Sequence, residues 1–125
     1  VLEKTITSKD FDFWGFNTEL EEFGRKNQIS QKSIYRTQAA FEELCMQIIL
    51  PKLEGDFKLY VAIEYSADDE TVNMQIKYTG EIFNPCETGN ELSLRLLKGI
   101  TESIVHNGCS DGEYTNVVMV DIKEK

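Results

Sequence analysis

Two places in this 125-residue chain gather side chains that could do chemistry. The first is the stretch Tyr78-Thr79-Gly80-Glu81-Ile82-Phe83-Asn84-Pro85, which closes an alternating, strand-like run. Gly80 can take backbone angles that other residues avoid, and Pro85 fixes φ and removes a donor. A strand that stops at such an elbow is a place to expect a ligand, although Gly80 is equally explained by a turn. The second is the pair Glu43 and Gln47, four residues apart on a predicted helix and therefore neighbours. They lie opposite the apolar stripe of that helix, so a solvated face accounts for them without any ligand. On the same face, Arg36 is expected to pair with Glu42 or Glu43. Metal chemistry finds little purchase. Cys45, Cys86 and Cys109 are widely spaced, and His106 is the only histidine, so no zinc-binding pattern is present. Reduced thiols in a cytoplasmic protein are the expectation.

The elements that must position these residues follow from periodicity. Leu2 to Thr7 alternates and reads as a strand; Asp10 is placed to cap a helix over Phe11 to Asn27, whose apolar residues recur at Phe13, Phe16, Leu20 and Phe23. A second helix, capped by Ser30 or Ser33, runs to Leu50, where Pro51 ends it. Its inward stripe is Ile34, Phe41, Cys45 and Ile48. Phe57 to Tyr65 and Val72 to Tyr78 alternate cleanly about a short polar loop, which requires an antiparallel pair. A third helix is predicted from Glu91 to His106, with Leu96, Leu97, Ile100 and Ile104 inward and Asn107-Gly108 as its stop. Asn116 to Lys123 is a last strand. The predicted order is β-α-α-β-β-α-β, an α/β (α+β) two-layer sandwich with helices on one face of a mainly antiparallel sheet.

Residues 1–125 are long enough for one domain and one core. Val1 in first place raises the expectation of a domain excised from a longer protein. The formal net charge of −9 repels phosphate backbones and anionic lipid, so nucleic acid is excluded as a first choice of partner. No apolar run reaches the length of a membrane span, so no membrane insertion is expected.

Three segments in order carry a resemblance: Phe41-Glu42-Glu43-Leu44-Cys45-Met46-Gln47, the elbow Tyr78 to Pro85, and the helix opening Glu91-Leu92-Ser93-Leu94-Arg95-Leu96-Leu97. Together they resemble the histidine-kinase-like (GHKL) ATPase domain, most closely the anti-sigma factor serine kinases of bacteria, over nearly the whole chain. The resemblance implies Glu43 as a general base and Gln47, in place of an asparagine, as a magnesium ligand. It implies a nucleotide pocket from Tyr78, Gly80, Phe83, Asn84, Pro85 and Ser93. Phe83-Asn84-Pro85 matches the anti-sigma variety. Tyr78 stands where the family has an adenine-binding aspartate, and Ile82 where it has a second glycine. Glu91 and Ser93 replace the small residues of a glycine-rich lid, which here shrinks to Cys86 through Asn90.

With these substitutions the resemblance implies a divergent domain with a degenerate ATP site and no cofactor, acting as a regulatory or protein-interaction module on a protein partner. The alternative is an active protein serine kinase that binds Mg-ATP, with Glu43 deprotonating a serine and magnesium on Gln47 offsetting phosphate charge. A third reading is an unrelated two-layer domain that shares this order by chance.

Overall fold

The structure is a computed structural model and describes residues 1–9, 11–109 and 112–123. The chain runs β1 (Leu2–Thr7), α1 (Phe13–Lys26), α2 (Gln31–Phe41), β2 (Lys58–Ser66), β3 (Thr71–Tyr78), α3 (Pro85–Thr88), α4 (Glu91–Ile100), β4 (Ser103–Gly108) and β5 (Asn116–Lys123). The strands form one five-stranded sheet of order β1-β2-β3-β5-β4, antiparallel throughout. Among the described residues four α-helices accompany it, and the arrangement is α+β with two layers.

The core lies between the layers because the strands alternate. Leu59, Val61 and Ile63 of β2, Val72, Met74, Ile76 and Tyr78 of β3, and Val118, Val120 and Ile122 of β5 are buried. Phe16 and Leu20 of α1, Phe41 at the end of α2, and Leu44, Cys45 and Ile48 just beyond it join the same cluster. Phe41 is its aromatic centre, with the Phe16 ring centroid 4.7 Å away and the Phe13 ring stacked at 6.3 Å. Each such fully buried side chain contributes roughly 1.5–3 kcal/mol.

Local chemistry sets the helix starts. Asp12 accepts from the Gly15 amide at 3.0 Å and caps α1; the cap expected at Asp10 lies outside the described residues. Ser30, not Ser33, caps α2, accepting from the Ser33 amide at 3.2 Å. The expected long second helix is present but not uniform. After Phe41 it continues as a π-helix over Glu42–Ile49 and closes with a 3₁₀ turn at Leu50–Lys52. The Leu50 amide reaches back five residues to the Cys45 carbonyl.

The predicted third helix is overturned in its second half. α4 stops at Ile100, and Ile104, Val105 and His106 belong to β4. Thr101 ends the helix by turning its backbone extended (φ −114°, ψ 152°) while its hydroxyl donates to the Leu97 carbonyl at 2.7 Å. Glu102 then pairs its amide with the Asp121 carbonyl, and the β-branched pair Ile104-Val105 continues as a strand beside β5. Without β4, β5 would be an open edge carrying Val117 and Met119. Asn107-Gly108 accordingly ends a strand rather than a helix. The element order gains a strand, and the apolar stripe of α4 is redrawn: Leu97 is buried, whereas Leu96 is 47% exposed.

Candidate functional site

The elbow is built from β3 and held by β5. Gly80 adopts φ +98°, a region that strains any residue with a Cβ. Just before it, Tyr78 is fully buried. Its phenol donates to the Phe83 carbonyl at 2.7 Å, and the two rings lie 5.2 Å apart. Burial pushes the phenol well above the ordinary tyrosine range, so the hydroxyl is a standing donor. Phe83 is fixed at its other end too, its amide donating to Asn116 Oδ1 at 3.0 Å.

Asn116, the first residue of β5, is the hub of this region. It is completely buried, its Nδ2 donates to the Glu81 carbonyl at 2.9 Å, and its Oδ1 lies 2.8 Å from His106 Nε2. The neighbouring Thr115 hydroxyl donates to the Gly80 carbonyl at 2.6 Å. Sequence reasoning assigns no role to Asn116 and treats His106 only as a failed metal ligand. The missed signal is an amide-bearing residue at the start of a strand that must lie beside the elbow, where a donor and an acceptor are both needed.

Asn84 and Pro85 begin the shortened lid. Asn84 Oδ1 accepts from the Cys86 amide at 2.9 Å, and buried Pro85 occupies the first turn of α3, where a missing amide hydrogen costs nothing. At the end of this segment Gly89 passes so close to the π-helix that a Cβ there would lie 2.6 Å from Ile48 Cδ1. Residues 86–90 are therefore packed against the helix that carries Glu43. Asn90 caps α4 by accepting from the Ser93 amide at 2.8 Å.

Two of the candidate residues meet directly. The Ser93 hydroxyl donates to Glu43 Oε2 at 2.8 Å, and Ser93 itself is buried. A carboxylate thus stands beside the first turn of α4, where the helix dipole favours negative charge. Gln47 takes no part in this contact and is exposed. The expected ion pair of Arg36 with Glu42 or Glu43 does not form: the ion pairs are Lys4–Glu19, Lys58–Glu113 and Arg95–Glu91 among the described residues. Nor, among those residues, is any group of three or more His, Cys, Asp or Glu side chains placed to hold a metal ion.

A cleft of about 860 Å³ opens beside Gly80, with Leu53, Phe57 and Phe83 in its walls. Glu54, Asp56 and Glu81 give it three carboxylates against Lys52. Glu43, Gln47, Tyr78 and Ser93 do not line it. The candidate residues therefore divide into a Glu43–Ser93 contact, a Tyr78–Phe83 contact, and an acidic cleft walled by Gly80 and Phe83. Compared with protein-family models and with curated proteins, the sequence matches none.

Proposed function

We propose that this domain is a divergent histidine-kinase-like module whose nucleotide site is degenerate, and that it works by contacting another protein. The observation that carries the proposal is the state of Tyr78. At the position where the resembled family grips adenine stands a ring that is fully buried, with its hydroxyl already donating to Phe83 O. An adenine would have to displace a core side chain, at a cost comparable to opening a cavity of aromatic size, roughly 3–5 kcal/mol.

The phosphate end points the same way. The Glu43 carboxylate, bonded to Ser93, occupies the neighbourhood of the α4 N-terminus, where a bound phosphate would otherwise be favoured. Glu87 and Glu91, in the first turns of α3 and α4, add like charge there. Gln47 stands apart from Glu43's partner and offers a lone amide oxygen to solvent. On this reading the residues do not fit Mg-ATP. Glu43 serves as a structural acceptor rather than a base.

Thermal unfolding with and without nucleotide tests the proposal. A ligand that binds only the folded state at one hundred times its dissociation constant adds about 2.7 kcal/mol of stability. For a domain of this size that raises the melting temperature by roughly 10 °C. With millimolar Mg-ATP or Mg-ADP we expect no rise. A rise of that size would favour the active Mg-ATP-dependent serine kinase, and loss of phosphate transfer in Glu43→Ala would then assign the base.

A further inference from the structure

The helical layer carries apolar side chains that no described element covers. Leu92 and Leu96, one turn apart on α4, are 68% and 47% exposed, and Tyr35 of α2 is 56% exposed. α2 packs beside α4. Between them lies an open groove of about 470 Å³, lined by Gln31, Lys32, Tyr35, Arg36 and Ala39 of α2 and by Ile100 of α4. Ile100 follows Leu96 by one helical turn, so the exposed leucines continue the apolar lining along α4.

The side chains of the groove argue what covers it. Lys32 and Arg36, four residues apart on α2, are its only charged lining residues, and both are cations. Neither forms an ion pair among the described residues. Like charges one turn apart on a helix repel, and an anion between them relieves that repulsion. The Tyr35 hydroxyl accepts from Gln31 Nε2 at 3.0 Å, which leaves its own hydrogen to donate. Two cations and a hydroxyl hydrogen thus border the apolar surface of Ala39 and Ile100, and no carboxylate answers them. The cleft beside Gly80, by contrast, carries three carboxylates. The formal charge of −9 is carried outside this groove. At physiological salt the Debye length is about 8 Å, so at contact distance Lys32 and Arg36 set the sign.

We infer that the groove between α2 and α4 docks an amphipathic, acidic helical segment of another protein. Its apolar stripe lies on Ala39, Ile100 and the exposed leucines, and its flanking carboxylates meet Lys32 and Arg36. The apolar line from Leu92 to Ile100 is about 12 Å long, two helical turns, which a stripe at i, i+3, i+4 and i+7 matches. This names the partner class of the protein-interaction reading and rests on it.

The probe is an acetylated and amidated peptide, Glu-Glu-Leu-Ala-Glu-Leu-Leu-Glu-Ala-Leu-Ala-Glu, titrated into the ¹⁵N-labelled chain at about 0.15 M salt. A control peptide has lysine in place of every glutamate. We expect saturable shifts centred on the amides of Gln31–Ala39 and Leu92–Ile100. At those amides, binding should be at least about tenfold weaker for the lysine peptide, and at least about tenfold weaker for the acidic peptide in the double variant Lys32→Glu with Arg36→Glu. Leu96→Ala, at an exposed position, should weaken binding severalfold and is decisive if the double variant does not fold. No saturable shift at millimolar acidic peptide, equal binding of the two peptides, undiminished binding by the variants, or shifts centred elsewhere would overturn the proposal. So would sedimentation showing that a second copy already covers this face. Failure here leaves the nucleotide melting result untouched, so the two readings fail separately.

Discussion

The contact between Glu43 and Ser93 turns a residue that resembles a catalytic base into part of the scaffold. A carboxylate accepting one hydroxyl hydrogen at 2.8 Å, half-buried between two helices, is worth more than a neutral bond and less than a fully buried one. In a double-mutant cycle of Glu43→Ala and Ser93→Ala, urea unfolding is expected to give a coupling of about 1 kcal/mol; additive losses would dissolve the contact. Tyr78 makes a second prediction. Its pKa is raised in the folded state, so the proton is held there after the unfolded phenol, with a pKa of about 10, has lost its own. The unfolded chain then binds fewer protons, and stability falls as pH rises above about 10. Cys45, also raised by burial, begins the same trend above about 8.5. Tyr78→Phe should lose about 1 kcal/mol at pH 7 through the missing bond to Phe83. It should also flatten the alkaline decline relative to the parent chain, and an unchanged pH profile would count against a buried, donating phenol.

At the scale of elements, the elbow is positioned by β5 rather than by its own sequence. Asn116 satisfies the Phe83 amide and the Glu81 carbonyl from across the sheet. Asn116→Ala leaves both part-buried groups without that partner inside the fold, at about 1 kcal/mol for each hydrogen bond lost. We expect the unfolding free energy to fall by about 2 kcal/mol, read as a lower urea midpoint with an unchanged slope; a loss below about 0.5 kcal/mol would show that the clamp is dispensable. What was legible from sequence follows the same division. β1 and the β2–β3 pair declare themselves by alternation, β5 by its valines and isoleucine, and the start of α2 by Ser30; α1 is capped by Asp12, which sequence reading passed over for Asp10. The break at Thr101 was not legible, because Leu96, Leu97, Ile100 and Ile104 keep a helical spacing straight through it. Only the hydroxyl of Thr101 and the demand of β5 for a partner cut that pattern. The π-helix at Glu42–Ile49 was hidden for a similar reason: Leu44, Cys45, Ile48 and Ile49 are buried at a spacing an α-helix would also give. Asn116 was hidden because its partners in the elbow, Phe83 and Glu81, are more than thirty residues away.

On the scale of the whole molecule, this two-layer fold presents three surfaces at which function can lie. The first is the junction of the elbow, the lid and the π-helix, the second is the open edge of the sheet, and the third is the groove between α2 and α4. At the junction, Tyr78, Asn84, Ser93 and Asn116 all have intramolecular partners, and the segment after Pro85 packs on Ile48. At the edge, β4 carries no acidic residue, lysine or arginine, and the groove between its first residues and α4 sets Leu94 and Ile104 among Glu91, Arg95, Lys98 and Glu102. Sequence located the first surface but not the second, since β4 was read as helix. The central claim is that the junction does not accept a nucleotide, and calorimetric titration of the chain with Mg-ATP tests it most directly. The account predicts no saturable heat up to about millimolar nucleotide, corresponding to binding weaker than about −4 kcal/mol. A saturating isotherm with low-micromolar affinity would contradict it.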